Sequence, residues 1–174
     1  MGQIDVAEFE AFITKHNYTW WTQGAEKAWF LIEGKAALDR EMYIAALLCY
    51  VTGIEACLRT TLKYHRGGTE NDPLDNITLC NKLLKECMDI GLSTQFLAFP
   101  TETDFITKIQ SKSPDVEIVA LRHEITHGNF TRFYRRDSAT GRRTFHPSHV
   151  KDTAIQLQEL ADTFVKELRR FMDK

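Results

Sequence analysis

Residues 116–130 read Val-Glu-Ile-Val-Ala-Leu-Arg-His-Glu-Ile-Thr-His-Gly-Asn-Phe, and the choice of fold class turns on this stretch. Val116, Val119, Ala120 and Ile125 recur at roughly helical spacing, the pattern of a helix with one buried face. Ser113 and Pro114 precede them, and proline is tolerated in a first helical turn, where its missing N–H has no partner to lose. Gly128 and Asn129 follow, two residue types that accept the left-handed backbone with which many helices end. The last two turns of this predicted helix therefore carry Arg122, His123, Glu124 and His127.

Two chemistries can be read from those four residues. His123-Glu124-Ile125-Thr126-His127 matches H-E-x-x-H, which on a helix sets two imidazoles on one face for zinc, with the glutamate as base. A catalytic zinc also needs a third protein ligand. In the extended form of the motif Phe130 stands where glycine is required and Phe133 where the third histidine is required. Glu159 is the remaining candidate carboxylate, and no strand alternation upstream of Arg122 supplies the sheet that such metal helices lie against. No metal and no cofactor are expected on this count. The other reading takes Arg122 with His127, an arginine and a histidine five positions apart, closed by glycine.

The rest of the chain bounds both readings. A length of 174 residues suits one domain over residues 1–174, enough to bury about two thirds of its unfolded surface. A net charge of −2 excludes a globally basic nucleic-acid binder, so an RNA site has to be a local patch. The opening residues lack a basic segment followed by an apolar one. The longest apolar run, 42–54, is too short to cross a bilayer. Cys49, Cys57, Cys80 and Cys87 lack metal-type spacing and fall within helical patterns, which suits reduced thiols in a cytoplasmic protein away from membranes.

In chain order, the pattern predicts helices over 4–16, 24–38, 39–64, 74–90, 101–111 and 148–172, with an aromatic junction at Trp20 and Trp21. Asp39 is the expected N-cap of the long third helix, and Gly67 with Gly68 its stop. The core stripe of that helix runs Ile44, Leu47, Leu48, Val51, Ile54, Leu58 and Leu62. Glu55 falls on or beside it. A buried carboxylate without a partner is costly, so Glu55 wants a cation, with Arg122 the first candidate. The alternative leaves Glu55 at the margin, reaching water or Arg59 one turn on.

Residues 130–146 differ in texture. Aromatic and arginine residues on either side of a glycine turn predict a small β-hairpin before the last helix. Arg132, Arg135, Arg136, Arg142 and Arg143 stand there against one aspartate, Asp137. Interleaved with Phe133, Tyr134 and Phe145, they suit phosphate contact and base stacking. The competing reading is a solvated loop with no ligand.

Leu121 through Asn129 resembles the R-x4-6-H motif of the HEPN superfamily (higher eukaryotes and prokaryotes nucleotide-binding domain), including a polar residue, here His123, directly after the arginine. The resemblance implies an all-α, antiparallel helical bundle, and a metal-independent endoribonuclease that cuts single-stranded RNA. It also implies a homodimer in which Arg122 and His127 of two copies face one cleft, with His123, Glu55 and Asn129 in support. Some members are toxins or defence effectors, for which an antitoxin is a partner, and others bind RNA or nucleotides, or other proteins, without turnover.

Overall fold

A computed structural model describes residues 25–174, with 75 and 112 excepted. The expected helix over 4–16 and the Trp20–Trp21 junction lie outside the described residues. The described residues are mostly helical, with one two-stranded sheet among them.

Helix α1 spans Ala25–Asp39 and α2 spans Tyr43–His65. Asp39 closes α1 and forms an ion pair with Lys35 instead of capping α2. The break comes at Glu41, whose φ of 58° reverses the chain, and the amide of Met42 returns to the Ala37 carbonyl at 2.8 Å. So short a connection makes α1 and α2 antiparallel neighbours. Gly53 lets them close: a Cβ there would stand 2.8 Å from a methyl of Leu31. The interior of α2 is Ala46, Leu47, Tyr50, Ile54 and Leu58. Two members of the expected stripe fall outside it, since Ile44 is half-buried and Leu48 is exposed.

Helix α2 also packs against three further described helices: α3 (Asn81–Asp89), α5 (Glu117–Thr126) and α6 (Lys151–Met172). By length and composition alone α2 could cross a membrane, being longer than the run 42–54 suggested, but more than half of it lies inside the bundle. Helix α3 begins seven residues later than its sequence pattern implied. Ile77 and Leu79 are core residues all the same, so those apolar letters belong to an extended segment that ends at Cys80 (φ −154°, ψ 167°). Helix α4, Phe105–Gln110, is short and anchored by buried Phe105 and Ile109.

After α5 come a single 3₁₀ turn at Thr131–Phe133, then β1 (Arg135–Arg136) and β2 (Arg143–Thr144), antiparallel with Arg135 opposite Thr144. A second 3₁₀ turn, Pro147–Val150, leads into α6. Buried Ala154, Leu157, Ala161, Phe164, Val165 and Leu168 set one face of α6 against α2 and α1.

Candidate functional site at the two faces of α5

The position of α5 is fixed at both ends by polar groups. At its start, buried Asn81 donates through Nδ2 to the carbonyls of Lys108 and Pro114, both at 3.0 Å, and accepts the Val116 amide at 3.1 Å. One amide side chain thus ties the last turn of α4 to two backbone groups of the segment entering α5. Glu102 adds a second tie: its Oε1 accepts the Glu117 amide at 2.9 Å and the Lys108 ammonium at 3.1 Å. A carboxylate at a helix N-terminus also meets the positive end of the helix dipole.

At the other end Gly128 takes φ 66°, conformational space that side chains disfavour. The Gly128 amide returns to the Ile125 carbonyl at 3.3 Å and the Asn129 amide to that of Glu124 at 2.8 Å. This is the paired 5→2 and 6→1 closure of a Schellman motif, as the two residue types led one to expect. Asn129 then spends its side chain locally, its Oδ1 accepting the Thr131 hydroxyl at 2.9 Å.

Between those ends the sequence distributes its polar residues over three faces, while Ile118, Val119, Leu121 and Ile125 are buried. Arg122 turns toward α2. Its Nε lies 3.4 Å from Glu55 Oε2, with side-chain exposures of 18% and 14%. Glu55 has further partners: the Leu79 amide donates to Oε2 at 2.9 Å, and Arg59 stands 3.7 Å from Oε1. The alternatives of Arg122 or Arg59 for Glu55 are therefore not exclusive. Thr52, Glu55, Arg122, Ile125 and Thr126 line a cleft of about 90 Å³ at this junction.

His123 and His127 occupy a different face. Both are exposed, and their rings stack at 6.4 Å between centroids, 10° from parallel. His127 makes no side-chain hydrogen bond or ion pair to another described residue, whereas His123 Nε2 approaches the Asp115 carboxylate at 3.9 Å. Five positions along a helix turn the chain by roughly 140°. Within one chain, Arg122 and His127 accordingly point to different sides of α5.

Glu124 and Glu117 take the third face and share Arg132, which lies 2.6 Å from Glu124 and is paired with Glu117 as well. Burial pushes the Glu124 carboxyl above its ordinary pKa, Arg132 opposes this, and Glu117 adds to it. The glutamate of the H-E-x-x-H reading is thus tied to a guanidinium, and Glu159 is exposed on α6. Among the described residues, no three His, Cys, Asp or Glu side chains gather in a group able to hold a metal.

The hairpin stands on aromatic residues. Phe130 and Phe145 stack at 5.0 Å, Phe133 lies against Phe130, and His149 meets the edge of Phe145. Phe133 and Phe145, expected as stacking surfaces for bases, are half-buried in this foot, and only Tyr134 of the three is exposed. Arg135, Arg136, Arg142 and Arg143 are exposed and pair with no carboxylate among the described residues. Arg143 lies over the Tyr134 ring at 6.0 Å. Asp137 forms no ion pair with them: its Oδ1 accepts the amides of Ala139 and Thr140 and the Thr140 hydroxyl. Those bonds hold its carboxyl below the usual range.

The sequence singled out Arg122, His127, His123, Glu55 and Asn129, and the fold brings Arg122 to Glu55 and His127 to His123. The sequence reading missed Asn81, Glu102, Glu117 and the Leu79 amide. A lone asparagine opening an apolar helical run was the available signal for Asn81, and nothing local marks Glu102. No family model, curated protein or solved structure matches this chain. The site defines a helical protein with a half-buried arginine–glutamate pair, an exposed histidine pair and a basic hairpin on one short helix and its exit.

Proposed function

We propose that the chain is a HEPN-type, metal-independent endoribonuclease of the cytoplasm that cuts single-stranded RNA as a homodimer. The observation that carries this reading is the division of α5: Arg122 is held at a cleft by Glu55 while His127 stands uncommitted at the helix exit. Cleavage without metal needs a base for the 2′-hydroxyl proton and a cation on the phosphate oxygens. A histidine titrating near neutrality suits the first role, and a permanently charged, fork-shaped guanidinium the second. His127 takes the 2′-hydroxyl proton, the oxygen attacks the adjacent phosphorus, and the 5′-oxygen leaves as a hydroxyl with a proton from water, giving a 2′,3′-cyclic phosphate. Because the two side chains diverge on one helix, a second copy supplies the missing half of each pair. The unpaired hairpin arginines follow directly after and draw in the RNA backbone. In this reading the protein acts as a toxin or defence effector, held in check by an antitoxin.

One observation favours a second reading, RNA binding without turnover: the charge of Arg122 is already answered by Glu55. Incubating labelled single-stranded RNA with the protein in excess chelator separates the two.

A further inference from the structure

His123 has no role in the chemistry above, and its surroundings lead elsewhere on the molecule. Its ring stacks on His127 on one side and faces Asp115 on the other. Asp115 forms part of the wall of a groove of about 410 Å³ between the start of α3 and the segment that leaves α4. That volume lies within the range of small-ligand sites, roughly 300–1,000 Å³. The groove and the histidine pair therefore meet on one side of α5, away from the face that Arg122 turns to α2.

The walls of the groove are held in place before any ligand arrives. Asn81 bridges them, bonded to the Lys108 and Pro114 carbonyls and the Val116 amide. Ile109 and Cys80 give an apolar floor, and Lys82 and Lys85 line the α3 side. Across from them Gln110 offers an amide with no partner among the described residues, and Ser111 offers hydroxyl lone pairs. Among the described residues Lys82 and Lys85 are engaged only by Glu86 at 3.7 Å and Asp89 at 2.5 Å, carboxylates one turn on along α3. Surface pairs one turn apart on a helix are weak and screened by salt, so a phosphate displaces them at small cost. Asp115, the carboxylate in this lining, lies at the end that faces His123.

We infer that this groove seats a nucleotide flanking the scissile bond of the single-stranded RNA, with phosphates on Lys82 and Lys85 and the base over Ile109 and Cys80. The inference rests on the ribonuclease reading for the identity of the polyanion. It makes His123 a bridge between the cutting point and the groove.

The test uses the full chain with a fluorescein-labelled, 2′-O-methylated oligouridylate, which cannot be cleaved, titrated over a range of salt. Lys82→Ala/Lys85→Ala is expected to weaken binding roughly tenfold and to lower the slope of log affinity against log salt by about 1.4, at about 0.7 per single-strand phosphate. Lys82→Arg/Lys85→Arg is expected to keep both. Equal affinity and slope in the alanine variant and the unsubstituted protein overturn the inference, as does a failure of the unsubstituted protein to bind. Ordinary RNA in chelator tells this apart from the parent reading. Binding through the lysines with the RNA left intact sinks the ribonuclease and leaves the groove, while unchanged cleavage of subsaturating RNA by the alanine variant sinks the groove and leaves the ribonuclease.

Discussion

The Nε of Arg122 and the Oε2 of Glu55 are 3.4 Å apart, and the same oxygen accepts the Leu79 amide at 2.9 Å. One carboxylate therefore joins α2, α5 and the approach to α3. Glu55→Ala removes all three contacts and is expected to cost about 2–4 kcal/mol, because it leaves a largely buried guanidinium and an amide without partners. Glu55→Gln keeps an acceptor for Leu79 and should cost less. Urea unfolding of Glu55→Ala, Arg122→Ala and the double variant measures the coupling; losses that add within about 0.5 kcal/mol mean the two residues act independently.

Asn81 is expected to be the strongest single polar determinant of where α5 begins. Asn81→Leu retains bulk but strands the Pro114 carbonyl and the Val116 amide, and leaves the Lys108 carbonyl with only its Ser111 donors. A loss of about 2–4 kcal/mol follows from orphaned buried groups at 1–3 kcal/mol each, partly relieved by water. Hydrogen exchange at Val116 should accelerate beyond the global change. An Asn81→Leu protein as stable as its parent shows that this segment holds itself.

The hairpin arginines should divide into two kinds. Arg132→Ala loosens the base of the hairpin, where it joins Glu117 and Glu124, and lowers the melting temperature by several degrees, about 1 kcal/mol in a domain of this size. Replacing Arg135, Arg136, Arg142 and Arg143 with alanine leaves stability nearly unchanged but weakens RNA binding and its salt dependence. Calorimetry and anisotropy on the two variants give opposite rankings if this division holds.

Glu124 should leave a mark on the pH dependence of stability. Burial holds its carboxyl above the ordinary glutamate range in the folded protein, so the folded state holds this proton more tightly than the unfolded chain. Stability from this group is full below the unfolded pKa and falls as pH rises through the folded one. Glu124→Gln should remove that decline. Denaturant midpoints for both proteins between mildly acidic and neutral pH provide the comparison, and parallel curves reject the assignment.

Cleavage of RNA in chelator separates the readings of the central motif. As a ribonuclease, the protein yields 2′,3′-cyclic ends; His127→Ala loses roughly 10²–10⁴-fold and Arg122→Ala at least about 10²-fold, with His123→Ala milder and Glu124→Ala milder still. Light scattering should give a dimer mass. Stoichiometric zinc with full activity in Arg122→Ala reverses the assignment in favour of H-E-x-x-H.

Much of the architecture was legible because it follows from periodicity and punctuation. The glycine at 128 ends α5 where a left-handed residue was needed, and α1, α2 and α6 lie within a few residues of the spans their apolar spacing implies. The start of α3 was not legible, since Ile77 and Leu79 are equally apolar in a helix or in a packed extended segment. Asp39 has the chemistry of an N-cap, but the turn at Glu41 came first. In the site, the partnership of Glu55 with Arg122 could be inferred from the cost of a buried charge. The partners of Glu102 and Asn81 at the start of α5 could not, because there each reaches across the sequence to backbone groups that every residue possesses.

The turn that absorbs the carboxylate of Asp137 into its own amides has a kinetic consequence. Four guanidiniums project from a few residues of a chain whose overall charge is −2. An approaching polyanion meets a chain of nearly balanced charge with a concentration of positive charge at one tip, so encounters are oriented before contact. The association rate constant should therefore fall steeply with ionic strength as the screening length contracts from about 30 Å at 0.01 M to about 8 Å at physiological salt. Once the complex has formed, its lifetime should depend far less on the hairpin than its formation does.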